Sequence, residues 1–217
     1  MASIEKFVKH PESGRTMFLL EIDSLDDWPE EISLPKSKQF VLFLATDARD
    51  VSEDDLSAFC AKTLDQGMVY LSTWGRDSER VHDTFEEAAA EWDPDSDADT
   101  ALLSEWHEDE PLSEALRFSV AHALPAHAFE KGCNATLVAI VGNPDAAELV
   151  REWLADPDRL EKAADDEEKE PASGDDEEAD ADEDEDVDLD DDEDDEEEGD
   201  EDDEEDDDDG DDGGDDD

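Results

Sequence analysis

Positive charge is what this chain lacks. Lysine and arginine together number 15 against 76 aspartates and glutamates, a formal net charge of −61 at pH 7 over 217 residues. The deficit is uneven. From Asp165 to Asp217, Lys169 is the one basic residue among about 40 acids, and Val187 and Leu189 are the only large apolar side chains. A segment of that composition cannot bury enough apolar surface to offset the entropy of ordering it. The sequence therefore predicts a foldable body over residues 1–156 and a disordered acidic tail over 157–217. The body is itself acidic, by about 22 charges. Fields of that sign repel phosphate backbones and anionic lipid heads, which argues against direct nucleic-acid binding and against a membrane surface. The partners they favour are a basic protein or cations met by the tail. Adaptation to high salt would also enrich acids, but it does not explain their concentration in one terminal block.

Other scarcities narrow the reading further. Two cysteines, Cys60 and Cys133, are too few for a disulfide framework and read as reduced core residues of a cytoplasmic protein. Met1 to His10 holds no apolar stretch of the kind a secretory signal needs. The longest apolar run, Phe40 to Ala45, is far too short to span a bilayer. Neither G-x-x-x-x-G-K-[ST] nor G-x-G-x-x-G occurs, and G-x-S-x-G, H-E-x-x-H and C-x-x-C are absent as well. No cofactor and no metal is expected on these grounds. Asp93, Asp95, Asp97 and Asp99 alternate like a calcium loop, but Ala98 stands where glycine is needed and Ser104 where the bidentate glutamate should be. They read as a solvated acidic loop.

What is present is an alternation of strand and helix. Thr16 to Ile22 reads as a strand, either a fifth sheet member or part of an edge hairpin. Phe40 to Thr46 is continuously apolar, as in a strand buried on both faces. Ser52 then opens a helix with acids in its first turn, an apolar stripe of Leu56, Phe59, Cys60, Thr63 and Leu64, and Gly67 as its stop. Met68 to Trp74 is a strand, Ser78 to Trp92 a helix, and Ala101 to Trp106 a short strand. Leu112, Leu116, Val120 and Leu124 space a further helix that Pro125 ends. Thr136 to Val141 is another apolar strand, and Gly142-Asn143-Pro144 supplies a turn, an N-cap and a first-turn proline for a helix running to about Ala155. Beyond it the chain reads as a charged linker. Four core strands alternating with helices predict an α/β fold, a Rossmann-like or flavodoxin-like three-layer sandwich on a mostly parallel sheet.

Ligands of such sheets bind outside the carboxyl ends of the strands. Those ends are Thr46-Asp47, Trp74-Gly75, Trp106-His107 and Gly142-Asn143. The densest polar group follows the second, so the candidate ligand site is Trp74, Gly75, Arg76, Asp77, Arg80 and His82, joined by His107. A helix start with two arginines could hold an anion. The alternative is that Gly75 makes a tight turn, Asp77 or Ser78 caps the helix, and both arginines pair with acids. His107, beside Glu108, Asp109 and Glu110, has the chemistry of a general base or metal ligand, but no recognisable nucleophile accompanies it. Four of the five tryptophans, Trp74, Trp92, Trp106 and Trp153, read as core or half-buried, and Trp28, before Pro29, is not placed by the pattern.

The residues Trp74-Gly75-x-Asp77-x-Glu79-Arg80-Val81-His82-Asp83, then Trp106-His107, then Val141-Gly142-Asn143-Pro144, resemble a bacterial domain family of unknown function, over roughly residues 38–154. The resemblance implies one α/β domain and brings no catalytic residues with it. Two functions stay open: an interaction protein with a polyanionic arm, or a small-molecule or anion-binding domain, enzyme-like, with its site around Gly75, Arg80 and His107.

Overall fold

The structure, a computed structural model, describes residues 3–167. Six strands form one sheet: β1 (Ile4–Lys9), β2 (Thr16–Ile22), β3 (Gln39–Ala45), β4 (Met68–Trp74), β5 (Leu103–His107) and β6 (Cys133–Val141). Their order is β1-β2-β6-β3-β4-β5. Only β1 runs antiparallel to its neighbour; the β2–β6, β6–β3, β3–β4 and β4–β5 pairs are all parallel. This is the expected mostly parallel α/β sheet, with two differences in membership. Thr16–Ile22 is both a parallel member and half of a hairpin, and β1 escaped the sequence reading. Its residues IEKFVK mix charge with apolar side chains and none is fully buried, as an edge strand allows.

Helices cover both faces. On one, α1 (Glu53–Asp65) and α2 (Ser78–Trp92) deliver Leu56, Phe59, Cys60, Leu64, Val81 and Phe85 onto Phe18, Leu20, Leu42, Leu44 and Leu137. On the other, α3 (Leu112–Arg117), α4 (Pro144–Ala155) and α5 (Pro157–Glu167) pack Leu116, Val150, Trp153, Leu154 and Leu160 onto Met17, Leu19, Phe43, Val138 and Ile140. Residues of opposite parity along β2, β3 and β6 thus serve opposite cores, which is why these strands read as unbroken apolar runs. The helix caps follow the sequence signals. Ser52 Oγ accepts from Asp55 N, Asn143 from Ala146 N, and Gly67 takes φ 97° just after α1. Trp28, unplaced by sequence, is buried edge-on against Phe59 at 5.0 Å and donates from Nε1 to Gln66 at 2.8 Å.

Two expectations change. Residues 157–167, read as the start of the tail, form α5, held by buried Leu160 and Ala164 and by Arg117, which reaches Glu161 and Asp165. Three acids of the expected disordered run, Asp165 to Glu167, are therefore helical; residues 168–217 lie outside the described residues. The expected helix through Leu124 stops earlier: α3 passes into a π-helical turn, Phe118–His122, and the chain leaves it at Ala123. Val120 stays buried within that turn, but Leu124 lies beyond the helix end, where Ala123 is already extended, and is 67% exposed. Two further points are sharpened. Trp92 and Trp106 take the open end of the range expected for them, 50% and 45% exposed, while Trp153 is buried. Asp77 rather than Ser78 holds the cap position of α2, in a left-handed conformation and without a side-chain cap bond. Among the described residues no helix is long and apolar enough to cross a membrane.

The π-helical turn is held by a residue distant in sequence. Arg15, just ahead of β2 and buried, donates from Nη1 to Ala123 O at 2.7 Å, from Nη2 to Ser119 O at 2.9 Å and Val120 O at 3.2 Å, and from Nε to Thr136 Oγ1 at 2.9 Å. Ser13 Oγ adds a bond to Val120 O at 2.6 Å. The guanidinium thus supplies donors to carbonyls at a helix end, where the backbone dipole favours a cation. Burial holds its pKa below the ordinary arginine value. Arg15→Met removes the guanidinium donors of Ser119 O, Ala123 O and Thr136 Oγ1, while Val120 O keeps Ser13, and each buried acceptor left unpaired costs about 1–3 kcal/mol. We expect a loss of about 3 kcal/mol in urea unfolding, with Arg15→Lys recovering only part of it. An unchanged midpoint would show the clamp to be idle.

Candidate functional site

The sheet order makes its own crevice. β3 and β6 are neighbours, yet the helix after β3 covers one face and the helix after β6 the other. Where successive connections leave in opposite directions, the loops diverge and a space opens beyond the strand ends. Here it is a cleft of about 470 Å³ lined by Ala45, Thr46 and Asp47 at the end of β3, Trp74, Gly75 and Arg76 at the end of β4, Ile140, Val141, Gly142 and Asn143 at the end of β6, and Glu108 and Ala146.

Glycines let the walls approach. Gly75 has φ 116°, and a Cβ there would stand 2.2 Å from Thr46 O. Thr46 N donates to Trp74 O at 3.0 Å and Ala48 N to Arg76 O at 3.1 Å, so the β3 and β4 loops are laced together across that glycine. Gly142, φ 66°, donates its N–H to Ile22 O at 2.9 Å and turns the chain into α4, whose first turn faces the cleft through Ala146.

The charges around the cleft are mostly committed. Arg49 grips Asp47, with Nη2 at 2.6 Å and Nε at 2.9 Å, and that bond holds the Asp47 carboxyl down at about 2. Arg80 Nε donates to Asp77 Oδ2 at 2.7 Å, while its Nη2 donates to the carbonyls of Ala48 and, at 3.2 Å, Val51. Glu108 Oε1 accepts from Asp77 N at 3.3 Å. Arg76 differs. It is exposed at the mouth, and among the described residues its guanidinium makes no hydrogen bond or ion pair. Its charge reaches Asp47 only through space, as a minor addition to the grip of Arg49.

Of the seven candidate residues, Trp74, Gly75 and Arg76 line this cleft, and Asp77 borders an adjoining depression with Arg49, Arg76 and Glu108. Arg80 acts as a latch on the β3–α1 loop, not as an open anion receptor. His82 and His107 are not lining residues. His82 is buried on α2, its ring 4.6 Å from that of Trp106 and Nε2 3.5 Å from Glu86. His107 pairs in register with Trp74, so it stands at the same sheet edge, but it is buried 5.4 Å from the Phe118 ring with Nδ1 2.9 Å from Glu110. Since Trp106 and His107 are adjacent in a strand, the sheet itself separates the two histidines. Asp97 Oδ1 is taken up by Asp99 N at 3.0 Å and by Thr100 N and Oγ1, each at 3.2 Å, which makes it the hub of a turn.

The walls contributed by Thr46-Asp47 and Gly142-Asn143 stand at strand ends that the sequence does identify. What it hides is that β6 inserts beside β3, so their joint role was missed. Glu108 carries no signal distinguishing it from Asp109 and Glu110.

An α/β domain with helices on both sheet faces and an open cleft at the reversal of strand order is the class that fold and site define. The sequence profile described as Domain of unknown function (DUF7684) matches residues 17–157, and the chain belongs to that family. No curated protein matches it.

Gly75→Ala forces a side chain against Thr46 O in a backbone conformation that L residues avoid. We expect about 2 kcal/mol of destabilisation in urea unfolding, within the range for strained backbone sites. A neutral substitution would mean that the two loops are not held at this spacing.

Proposed function

We propose that the domain is a non-enzymatic binding module whose cleft takes a small anionic molecule, its acidic group received by Arg76. The observation that carries this reading is a guanidinium that no described residue bonds, at a cleft mouth, in a chain where acids outnumber bases roughly fivefold. In such an excess a surface arginine left uncommitted is an exception. The positive end of the α4 dipole favours the same ligand charge. The net negative charge of the body does not forbid it, because charges beyond a Debye length of about 8 Å are screened at physiological salt. Catalysis is less well supported: Asp47 is neutralised by Arg49, and His107 is buried, held by Glu110, and does not line the cleft. The buried, unpaired thiols of Cys60 and Cys133, pushed up to about 12 and about 11 by burial, fit a cytoplasmic setting, here that of a bacterium.

The test is thermal shift of the full chain against phosphate, nucleotides, sugar phosphates and small dicarboxylates, since a ligand of the folded state raises its melting temperature. We expect at least one to stabilise the protein, and Arg76→Ala to remove that shift while moving the ligand-free midpoint little, as is usual for exposed side chains. A shift that survives Arg76→Ala would refute the role of this residue.

A second reading is favoured by composition alone. The roughly 40 acids from Asp165 to Asp217 form a polyanion suited to a basic protein or to cations and unsuited to nucleic acid. Binding through it is expected to weaken steeply as salt rises. A dissociation constant that stays flat through half-molar salt would contradict it.

A further inference from the structure

β5 ends the sheet, and among the described residues nothing closes it. Leu103–His107 is bonded to β4 on one side, and among the described residues no backbone bond reaches its other side. The row of N–H and C=O groups there is a template for another strand. The opposite edge is guarded: β1 carries Lys6 and Lys9 and breaks register between them. β5 has no lysine, proline or register break. Its Leu103 and Trp106 are 36% and 45% exposed, and the alternation of strand side chains puts them on opposite faces, so a strand laid alongside would meet one apolar side chain on each face, with the Glu105 carboxylate, held by Tyr70 Oη at 3.1 Å, on the Leu103 face.

The charge around this edge has one sign. Between Arg80 and Arg117 the chain contains neither lysine nor arginine. Half-buried Asp93 and exposed Asp95, Asp97 and Asp99 precede the strand, and Glu108, Asp109 and Glu110, all exposed, follow it. Acids at both ends exclude a second copy of this chain, which would bring like charges together, and they exclude acidic segments generally. A cationic segment meets no such barrier. We propose that the free edge of β5 is a docking site for an extended, basic segment of a partner protein, added as a seventh strand with its apolar side chains on Leu103 and Trp106 and its cations toward the flanking acids. The receptor is the strand edge, so this site stands independently of the cleft and of the acidic run beyond residue 167.

The probe is an eight-residue peptide alternating lysine and valine, compared with the same peptide N-methylated at every residue. Methylation keeps the charges and removes every backbone donor. With the isotope-labelled full chain, the first peptide is expected to move the amide resonances of residues 103–107 and to bind at least about fivefold more tightly than the second by fluorescence anisotropy. A peptide alternating glutamate and valine should leave the same resonances in place. Affinities of the two lysine peptides closer than that, or unmoved resonances at 103–107, would overturn the proposal and assign peptide binding to charge alone.

Discussion

β6 is hydrogen-bonded along both of its sides, to β2 over Thr16–Ile22 and to β3 over Gln39–Ala45, and the arrangement of the whole domain follows from that insertion. It joins the N-terminal hairpin to the rest of the sheet. It sends the following helix to the face opposite α1, and so opens the cleft between the β3 and β6 loops. It also brings Thr136 to Arg15, whose guanidinium then reaches the carbonyls of Ser119, Val120 and Ala123. The cleft, the two cores and the arginine clamp are consequences of one long-range pairing.

Much of the local structure was legible in the sequence, because local physics decides it. Ser52 with its acidic first turn, Gly67 after the last turn, and Asn143-Pro144 each announce a helix end through a bond or a backbone angle available within a few residues. The apolar runs of β3 and β6 announce strands buried on both faces. Strand order is different. Nothing near Thr136 says that it will lie against Met17 and Val41, so the partnership of Thr46-Asp47 with Gly142-Asn143 could not be read from either. The π-helical turn escaped for a related reason: its spacing is stabilised by Arg15, about 100 residues away in sequence. α5 was hidden by composition. Its acids masked Leu160 and Ala164, which sit one turn apart on a single face.

Electrostatics in this domain is a matter of local neutralisation within a negative whole. Arg49, Arg80, Arg151 and Arg159 each meet carboxylates, and most of these pairs are exposed, worth about 0–1 kcal/mol apiece. Their value is geometric. Arg151 bridges Glu5 and Glu21 across the hairpin, and Arg80 ties the start of α2 to the loop after β3. Against that pattern Arg76, placed beside Gly75 by the same loop, is the guanidinium left open to solvent at the cleft.

The position of β6 also sets a schedule for synthesis. A ribosome makes β2 and β3 early, but the strand that must lie between them begins at Cys133, about 110 residues after β2 ends. At about 5–20 residues per second, the nascent chain waits roughly 5–20 s with the facing edges of two strongly apolar strands unsatisfied. Pairing β2 directly with β3 in that interval would be a register of the wrong neighbours, and it would have to be undone before β6 could enter. The short turn at His10–Arg15 lets β1 occupy one side of β2 from the outset, which halves the exposed edge during the wait.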